Sequence, residues 1–219
     1  VPECVVPSFG PVGWRALAEF AIRQMVMLRW GDGRLWGALL AYHAARSEAD
    51  RERLPLYFVG FSLGGVVGLD IMTADGSRFV HFDRMVLMAP AAFLRARSRF
   101  VRALGFFGPD FMLPSLSPEA YRANREGTSM AAYLALFDLV DDIREADLSR
   151  ADIPTLLFID PRDELVSLSG LRKLAKAASL SRWEFVEISK AAATLRPNYH
   201  HLIIDEASLG SKAWGELCS

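Results

Sequence analysis

Residues 57–65 read YFVGFSLGG. An apolar run meets a glycine, then one serine, then two more glycines. The bland reading is a tight turn that needs glycine. The sharper one is G-x-S-x-G, with Gly60, Ser62 and Gly64, in which a corner between strand and helix pushes a serine outward. The neighbouring sequence favours the second. LYFVG has the length and apolarity of a buried strand, and LGGVVGLDIM reads as a helix. Small residues at Gly60, Gly64 and Gly65 are expected to let that helix sit close to the strand. The helix N-terminus would then aim free amides and partial positive charge at whatever Ser62 attacks.

The rest of the chain has the make-up of a folded domain. It has 219 residues, 52 % hydrophobic and 23 % charged, with a formal net charge of -1. That length supports one domain with a large core, spanning 1–219. The arginines Arg95, Arg97, Arg99 and Arg102 are spaced like a solvated helix face, so no nucleic-acid partner is expected. Two cysteines, Cys4 and Cys218, are too few for a disulfide scaffold or metal cluster, and read as free thiols in a cytoplasmic protein. No apolar run is long enough to span a membrane, and no signal peptide is visible. The chain opens on strand-like residues without an initiating Met, which suggests a processed or truncated form.

Outward from the serine, short apolar runs alternate with helical patterns. Strands are expected at 4–6, 24–30, 56–60, 84–91, 155–160 and 182–188. Helices are expected at 13–23, 35–53, 63–72, 93–104, 119–146 and 170–180, with a last one beginning near Ser208. The stretch 106–118, FFGPDFMLPSLSP, is aromatic, proline-rich and irregular. Strands apolar on both faces imply a mostly parallel sheet covered by helices on each side, a three-layer α/β sandwich.

A serine hydroxyl needs a base, and the base needs an orienting acid. The sequence has four histidines. His43 lies in a helix and His81 sits beside Phe79 and Phe82, both more structural than chemical in setting. His200 and His201 follow the last strand, at the carboxyl edge where open α/β sheets keep their sites. One of this pair is the best base. The acid is expected after the preceding strand, where TLLFIDPRDELVS offers Asp160, Asp163 and Glu164. Asp163 has room to reach a histidine. The chain order is then Ser, Asp, His.

With these motifs the chain resembles the α/β-hydrolase family. The resemblance rests on G-F-S-L-G at 60–64, D-P-R-D-E-L-V at 160–166 and Y-H-H-L-I-I-D at 199–205, and covers residues 4 to 215. Members commonly hold the triad acid in G-x-x-D-x-x-V. That implies Asp163 as the acid, with Asp160 replacing the family glycine. Many members carry an acidic residue five positions after the catalytic histidine. That implies His200, five before Asp205, with His201 as the alternative. The family's oxyanion hole implies backbone amides of Leu63 and of Phe9, with Gly10 as runner-up. The H-G-F form of that loop is replaced by PSFG. The family's usual N-terminal strands are missing ahead of CVVP. Residues 92–150 stand where members carry a helical cap or lid.

The resulting expectation is a serine hydrolase, without metal or organic cofactor, that cleaves a carboxylic ester with a modestly apolar acyl or alcohol part, a small and possibly lipid-like molecule. Phe106, Phe107 and Phe111 in the insertion are the candidate substrate-binding side chains. A non-catalytic binding or scaffolding protein on the same fold is the alternative, as is an acyltransferase using the same triad. A dehalogenase would place an aspartate where Ser62 stands. The sequence does not set the oligomeric state.

Overall fold

The computed structural model describes residues 36–73, 80–122, 126–191, 194 and 197–217. The strands expected at 4–6 and 24–30, the helix at 13–23, and Phe9, Gly10, Cys4 and Cys218 lie outside these residues.

Helix α1 (Trp36–Glu52) leads into strand β1 (Tyr57–Phe61), helix α2 (Leu63–Thr73) and strand β2 (Arg84–Met88). The insertion follows, with a short helix α3 (Ala96–Arg99), strands β3 (Met112–Leu113) and β4 (Thr128–Ser129), and helix α4 (Met130–Glu145). After it come β5 (Thr155–Ile159), helix α5 (Leu168–Ala177) and β6 (Trp183–Glu187). Strands β1, β2, β5 and β6 form one sheet in that order, every pair parallel. Parallel neighbours need crossovers, so a helix or the insertion lies between each pair. Their carboxyl ends therefore share one edge of the sheet.

Side-chain alternation along the strands makes the layers. Met85, Leu87, Leu157 and Ile159 point into one apolar cluster, with Val66, Leu69 and Met72 of α2 and Leu171 of α5. Met88 and Phe158, one residue out of phase, enter a second cluster with Ile203, Leu209 and Leu217. A period of two sends consecutive residues to opposite faces. The sheet thus has helices on both sides, and the molecule is the three-layer sandwich its strand pattern implies. No helix among the described residues is long and apolar enough to cross a membrane.

The insertion is less helical than its sequence pattern implies. The single turn α3 runs into a 3-10 stretch, Phe100–Phe107, which is followed by Gly108 with φ +95°. Strand β3 pairs antiparallel with β4. Helix α4 begins at Met130, well inside the helix expected over 119–146, because Pro118, one 3-10 turn (Glu119–Tyr121) and β4 take up the chain before it. Gly127 has φ +115°, and a Cβ there would stand 2.0 Å from the Leu113 carbonyl oxygen. Ser129 then caps α4, its Oγ accepting from the Ala132 amide at 3.3 Å.

The last helix is in two pieces, α6 (Glu206–Leu209) and α7 (Ser211–Leu217), divided by Gly210. His81 is structural through its backbone: its amide donates to the Tyr42 hydroxyl at 3.0 Å, and its carbonyl accepts from that hydroxyl at 3.3 Å. His43 is exposed on α1.

Candidate active site

Ser62 sits between the last residue of β1 and the first of α2 with φ +50°, a left-handed conformation uncommon outside glycine. The corner is held from both sides. The Ser62 amide donates to the Met88 carbonyl at 2.9 Å, and its carbonyl accepts from the amides of Gly65 and Ala91 at 3.2 and 3.0 Å. A Cβ on Gly60 would lie 2.8 Å from the Gly65 backbone, and one on Gly65 would lie 2.8 Å from Pro90 Cβ. Close packing thus demands glycine at 60 and 65. Gly64 does not fit the expectation of a crowded position: a Cβ there meets nothing within 4 Å among the described residues.

His201 Nε2 lies 2.8 Å from Ser62 Oγ, and His201 Nδ1 lies 2.8 Å from Asp163 Oδ2. The imidazole is 4 % exposed and the Asp163 carboxylate fully buried. Asp163 Oδ1 accepts from the amides of Leu165 and Val166 at 2.7 and 2.8 Å, which leaves Oδ2 to receive the Nδ1–H of His201. That tautomer makes Nε2 the acceptor for the serine proton. The ring is flanked by Phe61 and Tyr199, with centroids at 5.2 and 6.1 Å. Burial pushes the Tyr199 hydroxyl up; a hydrogen bond with Ser117 opposes this, and the charges of Asp163 and Glu164 add to it.

The expectation that His200 faces the serine is corrected by this geometry. His200 Nδ1 points instead to Asp160 Oδ2 at 3.0 Å. Two consecutive residues of one turn send their side chains apart, and the fully buried Asp160 carboxylate captures the first. The five-residue spacing to Asp205 has another origin. Asp205 caps α6, accepting from the Ser208 amide at 2.8 Å, and accepts from the Tyr121 hydroxyl at 2.7 Å.

Asp160 also explains why a carboxylate can stand where a turn glycine was expected. Its oxygens accept from the Arg162 amide, the Arg162 guanidinium and the Lys190 amide, at 2.8, 3.1 and 3.0 Å. Burial pushes this carboxyl up, but the bonds from Arg162, the Lys190 amide and His200 together hold it below its ordinary value. Two further groups escaped the sequence reading. Glu164, weighed only as an acid, turns its carboxylate to the backbone of the histidine pair, and Lys190 is a buried lysine on the other side of the same turn. An isolated lysine in ISKAAA gives no sign of this.

Leu63 is the first residue of α2, so its amide is among those without an intrahelical acceptor. It adjoins Ser62 in the chain. Phe106, Phe107 and Phe111 make ring contacts with one another, at centroid distances of 6.0 and 5.1 Å, and Phe106 is 91 % exposed. A small cavity lined by Phe93, Leu94, Arg102, Phe137, Val140, Asp141 and Arg144 contains none of the site residues. Among the described residues, no group of three or more His, Cys, Asp or Glu is arranged to hold a metal ion.

No protein-family model and no curated protein sequence matches this chain. Solved structures do. A soluble variant of monoglyceride lipase from Saccharomyces cerevisiae matches with a TM-score of 0.60 at 14 % identity, over 85 % of this chain and 66 % of its own. A structure from the work on the metagenome-derived lipolytic enzymes LipS and LipT matches with a TM-score of 0.53 at 18 % identity, over 93 % of this chain and 74 % of its own. The chain therefore has the α/β-hydrolase fold. It spans just under two thirds of the yeast structure. Fold alone does not carry an activity.

Proposed function

We propose that this protein is a serine hydrolase acting on carboxylic esters with a modestly apolar acyl or alcohol group. The observation that carries the reading is the unbroken chain Ser62 Oγ, His201 Nε2, His201 Nδ1, Asp163 Oδ2, both hydrogen bonds 2.8 Å long, built on a strained corner. The buried, doubly held acid suits a base that must become charged during reaction. A non-catalytic scaffold has no need of this alignment, so the geometry favours catalysis.

In this reading Ser62 Oγ attacks the ester carbonyl carbon while its proton passes to His201 Nε2. The carbonyl π pair moves to oxygen, where the Leu63 amide stabilises it. The second oxyanion donor is proposed at Phe9. Collapse expels the alkoxide, which takes the proton from His201. Water then gives a proton to His201 and adds to the acyl carbon, and Ser62 leaves with that proton as the acid product forms. Asp163 fixes the tautomer and supports the imidazolium throughout. The lipase and lipolytic-enzyme names of the structural neighbours support an ester substrate.

The residues 92–150 are proposed as a cap. Their middle reaches the histidine loop through the Tyr121–Asp205 hydrogen bond. Phe106, Phe107 and Phe111 are proposed to meet the apolar part of the substrate. An ester series tests this. kcat/KM for p-nitrophenyl esters should rise from acetate toward octanoate, since each buried CH₂ contributes about 0.8 kcal/mol. A flat or falling series contradicts an apolar acyl site.

A further inference from the structure

Ester hydrolysis by Ser62 needs His201 held within hydrogen-bond reach of both its partners, yet His201 lies in a turn, not on a strand or helix. The turn is gripped through its backbone. On one side the Glu164 carboxylate accepts from the His200 amide at 3.0 Å and the His201 amide at 3.2 Å. On the other, Lys190 Nζ donates to the carbonyls of Tyr199 at 2.8 Å and Leu202 at 3.4 Å. These four groups bracket the histidine pair. Lys190 is 5 % exposed, so its ammonium has exchanged water for these carbonyls.

We propose that Glu164 and Lys190 are positioning residues that clamp the backbone of residues 199–202 and so set the distance from His201 to Ser62. The inference rests on the hydrolase reading. Neither side chain touches the reacting atoms; both act through the histidine. The clamp has its own anchors. The Glu164 carbonyl accepts from Arg97 Nε at 3.2 Å and from Ser98 Oγ at 3.5 Å, tying it to the start of the insertion. The Lys190 amide donates to Asp160, and its carbonyl accepts from Arg162 Nη2 at 3.4 Å. The acid loop, the loop after β6 and the histidine turn are thereby one unit.

A clamp of this kind predicts a particular kinetic signature. A displacement of about 1 Å in a reacting group can cost about 10²-fold in rate. Glu164→Met, which removes both acceptor oxygens, and Lys190→Met should each lower kcat for p-nitrophenyl butyrate on that order, with KM little changed. They should slow labelling of Ser62 by a fluorophosphonate in parallel. The double variant should lose less than the product of the two, because both act on one turn. Lys190→Arg, which keeps the cation, should recover much of the rate.

A pH profile adds a readout that simple destabilisation does not move. Burial pushes the Lys190 ammonium below the ordinary lysine range, against the charges of Glu164, Asp160 and Asp205 that face it. The charged form is the one that grips the carbonyls. Activity should hold below this lowered value and fall as pH rises through it. In Lys190→Arg that alkaline limb should be absent.

The measurement is kcat, KM and labelling rate for wild type and the variants, per folded molecule as judged by circular dichroism. If Lys190→Met does not fold, Glu164→Met, at a residue only partly buried, decides. Folded variants with wild-type kcat and labelling rate overturn the clamp, as does a loss that tracks only the folded fraction. A wild type that neither turns over esters nor labels at Ser62 overturns the hydrolase reading itself, a distinguishable result.

Discussion

His201→Ala should lower kcat by about 10⁶-fold, the scale on which a serine-protease triad fails when its histidine is removed. His200→Ala should keep most of its turnover. The two residues are adjacent, so composition and local fold are matched and only side-chain direction differs. His201 Nε2 is 2.8 Å from Ser62 Oγ, whereas His200 Nδ1 is committed to Asp160. The His200 amide, which Glu164 holds, survives the substitution. Steady-state kinetics on one chromogenic ester, with circular dichroism to verify folding, checks the pair. Equal losses in both, or a larger loss at 200, would refute the assignment.

Asp163→Asn should lower kcat at neutral pH by about 10⁴-fold, the cost of the same change in a serine-protease triad, and for a reason that can be read here. The amides of Leu165 and Val166 both donate to Asp163 Oδ1. An asparagine keeps its oxygen there, because an NH₂ facing two N–H donors would be repelled. Its NH₂ then faces His201 Nδ1 and donates to it. The ring proton moves to Nε2, and the base is lost while the loop stays in place. The same kinetic assay, with the melting temperature measured alongside, tests this. A loss under about tenfold would show that the tautomer is not controlled from this position.

The corner at Ser62 and the alternating strand and helix order were legible in the sequence because those signals are local. Apolar runs of strand length, turn glycines and helical spacing lie close together along the chain. The pairing of Asp163 with a histidine was also legible, since chain order placed its loop after the strand before the histidines. The choice between His200 and His201 was not. It depends on Asp160 and Glu164, about 40 residues away in sequence, which draw one imidazole aside and fix the backbone between them. The spacing to Asp205 reported a helix cap, not a ring orientation. Lys190 was silent for a similar reason, since its partners are carbonyls supplied by the turn. In the insertion, apolar spacing ran on through 119–129, where Gly127 and the two-residue strands interrupt the helix. Gly64 was grouped with its neighbours, although among the described residues a Cβ meets packed atoms at Gly60 and Gly65 and not there.

Central to the proposed function is Ser62 as a nucleophile activated by His201. The most direct test is treatment of the protein with a fluorophosphonate, followed by intact mass and peptide mapping. One adduct per chain is predicted, on Ser62, absent in Ser62→Ala and forming far more slowly in His201→Ala. An unlabelled wild-type protein, or an adduct on another serine with Ser62 unmodified, would contradict it.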